Sequence, residues 1–101
     1  MRLSKQKQEL IHNTVRRFFG ETAKVWLFGS RIDDSKRGGD IDLLIETNFT
    51  DLQEIMRTEI SLLGKLQKQL GDQRIDILLD YPQRKTYSPI FEIARRQGIL
   101  L

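Results

Sequence analysis

The spacing of apolar residues predicts three helices and three short strands, in the order αββαβα. Apolar residues recur at helical intervals between Ser4, which can cap a helix, and Gly20, which can end one, so a first helix of about 16 residues is expected. Three strands covered by helices form an α/β (α+β) sandwich around a small sheet. The runs that fit strands are Lys24 to Phe28, Ile41 to Glu46 and Arg74 to Leu79.

A long amphipathic helix is expected after the second strand. It should begin at Thr50-Asp51, where Thr50 and Gln53 have the spacing of a capping box, and end at Gly71. Ser88-Pro89 predicts the start of a shorter helix near the C-terminus, because proline is favoured at the first helical position. One face of the long helix is expected to pack on the core through Leu52, Ile55, Met56, Ile60, Leu63, Leu66 and Leu70.

Length and composition limit the class of protein. A chain of 101 residues fits one domain with a single core, and the absence of cysteine excludes disulfides and thiolate metal sites. No stretch approaches the roughly 18 apolar residues of a membrane-spanning helix, and no apolar segment follows the basic N-terminal residues. We therefore expect residues 1–101 to form one domain of a soluble, cytoplasmic protein that does not bind membranes.

The net charge of +3 suits an anionic ligand such as a nucleotide. The basic residues occur as scattered pairs and form no single block, which disfavours a nucleic-acid-binding protein. A small-molecule anion is therefore the ligand that the charge favours.

The first strand ends at Gly29-Ser30, where a phosphate group could bind. Glycine lets the backbone approach a ligand closely, and Ser30 adds a hydroxyl group beside exposed backbone N–H groups. If a helical turn begins there, those N–H groups form an anion site, and Arg31 could reach the same phosphates. An ordinary turn remains the alternative for Gly-Ser alone.

Two aspartates, Asp40 and Asp42, open the second strand. Residues two apart in a strand share one face, so their α-carbons lie roughly 6.6 Å apart. Carboxylates this close repel each other unless one is protonated or a cation lies between them. Mg²⁺ is commonly held by one or two carboxylates together with substrate phosphates, so the pair could hold Mg²⁺ and a nucleotide triphosphate. An exposed acidic pair without a ligand is the alternative.

Asp76 interrupts the third apolar strand. A lone carboxylate among isoleucine and leucine residues is costly unless it is paired or bound to a metal. If the third strand lies beside the second, Asp76 joins Asp40 and Asp42 and could accept a proton from an attacking hydroxyl. The alternative is a salt bridge to Arg74, and both interactions are compatible.

The combination of these motifs resembles the DNA polymerase β-like nucleotidyltransferase superfamily over about residues 24–79. The motifs are Gly-Ser closing one strand, Asp-x-Asp opening the next, and one further Asp in a strand after a helix. The resemblance implies a mixed sheet, nucleotide binding by Gly29, Ser30 and Arg31, and a metal-binding catalytic triad. The implied triad, with two Mg²⁺ ions, is Asp40, Asp42 and Asp76.

The small size is similar to that of the minimal nucleotidyltransferases (MNT proteins), which are encoded with HEPN partners, often as toxin–antitoxin pairs. That resemblance implies an antitoxin that transfers AMP from ATP, or the nucleotide of another NTP, to a tyrosine of a HEPN partner in a hetero-oligomer. A non-catalytic antitoxin that only masks its HEPN partner is the alternative.

The acceptor is expected to come from a second chain. Nucleotidyl transfer needs an acceptor held in line with the α-phosphate, and a packed core of 101 residues leaves little surface for an acceptor domain. The apolar tail Ile99-Leu100-Leu101 could dock that partner or pack back on the core.

Overall fold

The computed structural model describes residues 3–29 and 39–101. Within these ranges the chain forms three helices and four strands, and the predicted α/β (α+β) class is confirmed. The elements in chain order are α1 Lys5–Phe19, β1 Lys24–Phe28, β2 Ile41–Glu46, α2 Leu52–Leu70, β3 Ile75–Asp80, α3 Pro89–Gln97 and β4 Ile99–Leu100.

The strands form one mixed sheet in the order β3-β2-β1-β4. β1 is antiparallel to both β2 and β4, whereas β2 and β3 are parallel. The parallel pair is joined by α2, which provides the crossover that parallel neighbours need. The ends of β1, β2 and β3 that carry the predicted site residues therefore lie side by side.

The predicted three-stranded sheet has a fourth strand, β4, at the C-terminus. Ile99 and Leu100 pair with β1, and the Leu101 N–H donates a hydrogen bond to the Val25 carbonyl at 2.9 Å. The side chain of Leu101 packs against the main core. Of the two expectations for the apolar tail, packing back on the domain is the one that the structure shows.

Each face of the sheet packs on a separate apolar cluster. The smaller cluster joins α3 to the sheet through Phe28, Leu44, Phe91 and Ala94. Because successive strand residues face opposite sides, Asp42 and Leu44 lie on this α3 face, and so do Asp76 and Leu78. The larger cluster, under α1 and α2, includes Ile11, Val15, Phe19, Val25, Leu27, Ile41, Leu43, Ile45, Ile55, Leu62 and Leu66.

The capping prediction for α2 was wrong, and the predicted contact face was right for Ile55, Leu66 and Leu70 but wrong for Leu52, Met56 and Ile60. The N-cap is Asp51, whose carboxylate accepts the Gln53 N–H at 3.1 Å, so the Thr50–Gln53 capping box does not form. The helix is buried through Ile55, Leu62, Leu66 and Leu70, while Leu52, Met56 and Ile60 are exposed. Apolar residues cover more of this helix than one sheet face can bury, so periodicity made the contact face too wide.

A polar network ties α3 to the sheet at the end opposite the aspartate pair. The buried carboxylate of Asp80 accepts hydrogen bonds from Arg95 and, at 2.5 Å, from the Tyr87 hydroxyl. Arg95 also donates to Glu46 at 3.1 Å, so this one guanidinium joins β2 and β3. The pKa of Tyr87 is raised, mainly because its hydroxyl donates a hydrogen bond to Asp80.

Asp80→Ala should lower the free energy of unfolding by about 2 kcal/mol, because hydrogen bonds to a charged group contribute about 1.5–3 kcal/mol. Urea unfolding followed by circular dichroism measures this loss. Tyr87→Phe removes one of the two partners and should cause a smaller loss. Asp72→Ala, at an exposed turn, should leave stability unchanged. An Asp80→Ala protein as stable as the wild type would contradict a stabilising role for the network.

Candidate active site

Gly29 and Asp42 approach each other closely where β1 ends. Phe28, the last residue of β1, is the register partner of Asp42 in β2. Gly29 follows with φ of +80°, in the left-handed region that glycine adopts without strain. A Cβ atom at this position would overlap the Oδ2 atom of Asp42. Glycine is thus required both by the backbone turn and by the space beside the carboxylate.

Asp42 and Asp76 are neighbours across the parallel strands. They are register partners in β2 and β3, so their side chains leave the same face of the sheet at the same level. Adjacent strands lie about 4.8 Å apart, which brings both carboxylates within reach of one ligand. Asp40 lies two residues before Asp42, at the entrance of β2. The structure thus places Gly29, Asp40, Asp42 and Asp76 at one end of the sheet.

The negative charges at this end of the sheet act on the carboxylate of Asp42. Partial burial raises the pKa of Asp42, and the negative charges of Asp76 and then Asp40 raise it further. The positive charge of Arg74 acts in the opposite direction and does not offset the rise. An ionised Asp42 is therefore in an unfavourable environment that a bound cation would correct.

The model of the nucleotidyltransferase domain family matches residues 9–99. The chain belongs to this family. The match confirms the resemblance to the polymerase β-like superfamily, and it supports nucleotidyl transfer as the general activity. Among curated proteins none matches the chain significantly. In the described ranges of this nucleotidyltransferase domain, no helix is long and apolar enough to cross a membrane.

The predicted salt bridge between Arg74 and Asp76 is present in the nucleotidyltransferase domain. The Arg74 Nε atom lies 3.3 Å from Oδ1 of Asp76, and the Asp76 side chain is 48% exposed. An ion pair this exposed contributes about 0–1 kcal/mol, so a ligand could displace it at little cost. Arg74 was expected to form only this ion pair, but its positive charge also lowers the pKa of Asp42.

The chemistry of the site fits Mg²⁺, although the acidic groups are not gathered around a common point. Within residues 3–29 and 39–101, no group of three His, Cys, Asp or Glu residues converges closely enough to hold a metal ion. The carboxylates repel one another, and Asp76 is drawn towards Arg74. Both effects favour a spread arrangement of the acidic groups. The donors are carboxylate oxygens, which Mg²⁺ prefers, and the Oδ2 atom of Asp42 lies against Gly29 in the space that a Cβ atom would occupy. Asp40, Asp42 and Asp76 are the residues that would hold the ion.

Two predicted nucleotide-binding residues, Ser30 and Arg31, lie outside the described residues, as does most of the loop between β1 and β2. Their roles stay predictions. Gly29 is described, and it is exposed and lies beside the Asp42 carboxylate.

Proposed function

We propose that this domain is a Mg²⁺-dependent nucleotidyltransferase that moves AMP from ATP to an acceptor hydroxyl. The observation that carries the proposal is the register of β2 and β3, which pairs Asp42 with Asp76 beside Gly29 in a chain of this family. In the reaction the acceptor oxygen bonds to the α-phosphorus of ATP. The bond from that phosphorus to the bridging oxygen breaks, and pyrophosphate leaves.

Each residue of the site has a separate role in this proposal. Asp40, Asp42 and Asp76 hold one or two Mg²⁺ ions, which when bound would stabilise charge on the entering and leaving oxygens. Gly29 lets the backbone approach the phosphates closely, while Ser30 and Arg31 donate hydrogen bonds to their oxygens. Asp76 also accepts the proton of the acceptor hydroxyl, since its half-exposed carboxylate can be reached from outside the domain.

We further propose that the acceptor is a tyrosine of a HEPN-type partner and that the domain acts as its antitoxin. The exposure of the site supports an acceptor from another chain. Gly29, Asp40 and Arg74 are exposed, so the end of the sheet is open to a second protein. A tyrosine side chain is long enough to carry its hydroxyl to such an open site.

The test is incubation of the purified domain with Mg²⁺, ATP and a HEPN partner from the neighbouring reading frame. ATP labelled at the α-phosphate should transfer label to a partner tyrosine, whereas ATP labelled at the γ-phosphate should not. A partner with this tyrosine changed to phenylalanine is the control and should stay unlabelled. Absence of α-label from every acceptor, with Mg²⁺ and a folded domain present, would refute nucleotidyl transfer.

A second candidate is an antitoxin that masks its partner without catalysis. The spread of the acidic side chains favours it, because within residues 3–29 and 39–101 no three of them converge closely enough to hold a metal ion. A variant with Asp40, Asp42 and Asp76 all changed to Asn separates the two functions in a growth assay with the toxic partner. Neutralisation by this variant supports masking, and loss of neutralisation by a variant that still binds the partner supports catalysis.

A further inference from the structure

The outer edge of β3 carries backbone groups that pair with no other strand. In the part of the chain that the structure describes, β3 has β2 on one side and no strand on the other. The carbonyls of Arg74 and Asp80 accept hydrogen bonds from the β2 side, at 2.8 and 3.0 Å. Backbone groups alternate in direction along a strand, so those of Ile75, Ile77 and Leu79 point outward. An open edge of this kind is a template for another strand.

An exposed apolar row on α2 borders this edge. The row consists of Leu52, Met56 and Ile60, which are 52%, 57% and 72% exposed. Gly64 continues it at the same four-residue interval, and a Cβ atom there would meet nothing within 4 Å. A groove of about 400 Å³ is lined by Leu52 and Met56 together with Ile77 and Leu79 of β3 and other residues. Leu52 and Met56 therefore form one surface with the strand edge, and Ile60 follows one turn further along α2.

We propose that this surface is a two-fold interface between two copies of the chain. An occupant must supply a strand edge and, beside it, an apolar helix face. A copy rotated about an axis near Ile77 supplies both, because β3 meets the β3 of the copy and the row on α2 meets the same row. The result is an eight-stranded sheet with the two α2 helices adjacent on one face.

The charges on β3 select one register for this antiparallel pairing. With Ile77 opposite Ile77 of the second copy, Asp76 lies opposite Leu78, and Arg74 lies level with Asp80. Moving Ile75 opposite Ile77 would instead place Asp76 directly against Asp76, which is unfavourable for like charges. The Leu79 carbonyl, which accepts a hydrogen bond from Arg84 at 3.3 Å, has a second lone pair for the new strand.

The exposed row on α2 has the character of an interaction site. Apolar patches on the order of 300–600 Å² commonly mark interaction sites on proteins. The smallest stable interfaces bury roughly 1,200 Å² in total, so the dimer must bury the row on α2 and the edge of β3 of both copies together. Three exposed side chains on consecutive turns of α2 are the apolar centre of the interface.

The test is the mass of the purified domain in solution, measured by light scattering and native mass spectrometry over roughly 1–100 µM, a range that covers modest affinities. We expect a dimer whose dissociation constant rises at least about tenfold in Met56→Arg. Leu100→Arg is the matched control, because Leu100 is also 57% exposed but lies on the opposite edge of the sheet. It should dimerise as the wild type does.

Ile77→Pro tests the strand edge separately. Its N–H points away from β2, so proline removes the outward donor and keeps the ladder to β2. Ile77→Pro should also weaken the dimer. If Ile77→Pro does not fold, the dissociation constant of Met56→Arg alone tests the proposal. A wild-type monomer at all concentrations overturns the proposal. A dimer that Leu100→Arg weakens and Met56→Arg does not would also overturn it. The same holds if this surface binds only a different protein and not a second copy of the chain.

Discussion

Asp42→Asn should reduce nucleotidyl transfer by on the order of 10³-fold or more. Loss of a single group that stabilises charge in the transition state commonly slows an enzyme by about this factor. Asp42 is the central carboxylate of the site, between Asp40 on its own strand and Asp76 on the next. Asparagine keeps the shape and removes the charge that would hold Mg²⁺. Release of pyrophosphate from ATP with the acceptor present measures the loss.

The fold should survive this substitution and gain stability at neutral pH. The pKa of Asp42 is raised in the folded chain from its ordinary value of 3.8, mainly by burial. The folded state therefore favours the protonated form, and ionisation costs stability as pH rises from about that ordinary value through the raised pKa. Without metal, the wild type should lose this contribution to stability over that pH window, and Asp42→Asn should not.

Urea unfolding of both proteins in chelator, from pH 4 to pH 7, measures this difference. Asp72→Asn is the matched control, because it removes a carboxylate from an exposed turn away from the site and should change neither transfer nor the pH profile. Undiminished transfer by Asp42→Asn would exclude the proposed mechanism. An Asp42→Asn protein that is less stable than the wild type at pH 7 would contradict the account of the Asp42 environment.

Local sequence signals were sufficient for the strands that carry the site. β1 and β2 run from Lys24 to Phe28 and from Ile41 to Glu46, as predicted, because each is a short, mainly apolar run flanked by polar or glycine residues. The pairing of Asp42 with Asp76 was expected only on the condition that the second and third strands are neighbours. The α2 crossover satisfies this condition, which the sequence pattern alone does not establish.

The elements that the sequence missed depend on long-range packing. β4 has only two residues, so no periodicity marks it, and it exists because the chain after α3 returns to the edge of β1. The exposed row on α2 has the same spacing as a buried face, and only the position of the helix over the sheet distinguishes the two. Asp80 follows the predicted end of the third strand, and its partner Arg95 lies 15 residues later.

Gly29→Ala should lower both stability and activity. At φ of +80°, an alanine costs roughly 1–2 kcal/mol of backbone energy, and its Cβ atom would also overlap the Asp42 carboxylate. The carboxylate or the turn must move, and a displacement of about 1 Å in a catalytic site can cost about 10²-fold in rate. We expect transfer to fall by about that factor, with the loss of stability measured by urea unfolding.

Gly71→Ala separates the backbone strain from the overlap. Gly71 has φ of +87°, close to that of Gly29, but a Cβ atom there would meet nothing within 4 Å. Its variant should show the backbone cost alone and keep full activity. A double variant that adds Asp42→Ala to Gly29→Ala removes the overlapping carboxylate, so the two changes should couple by about 1 kcal/mol or more in stability. Equal losses for Gly29→Ala and Gly71→Ala, with no coupling, would mean that Gly29 serves the turn and not the space beside Asp42.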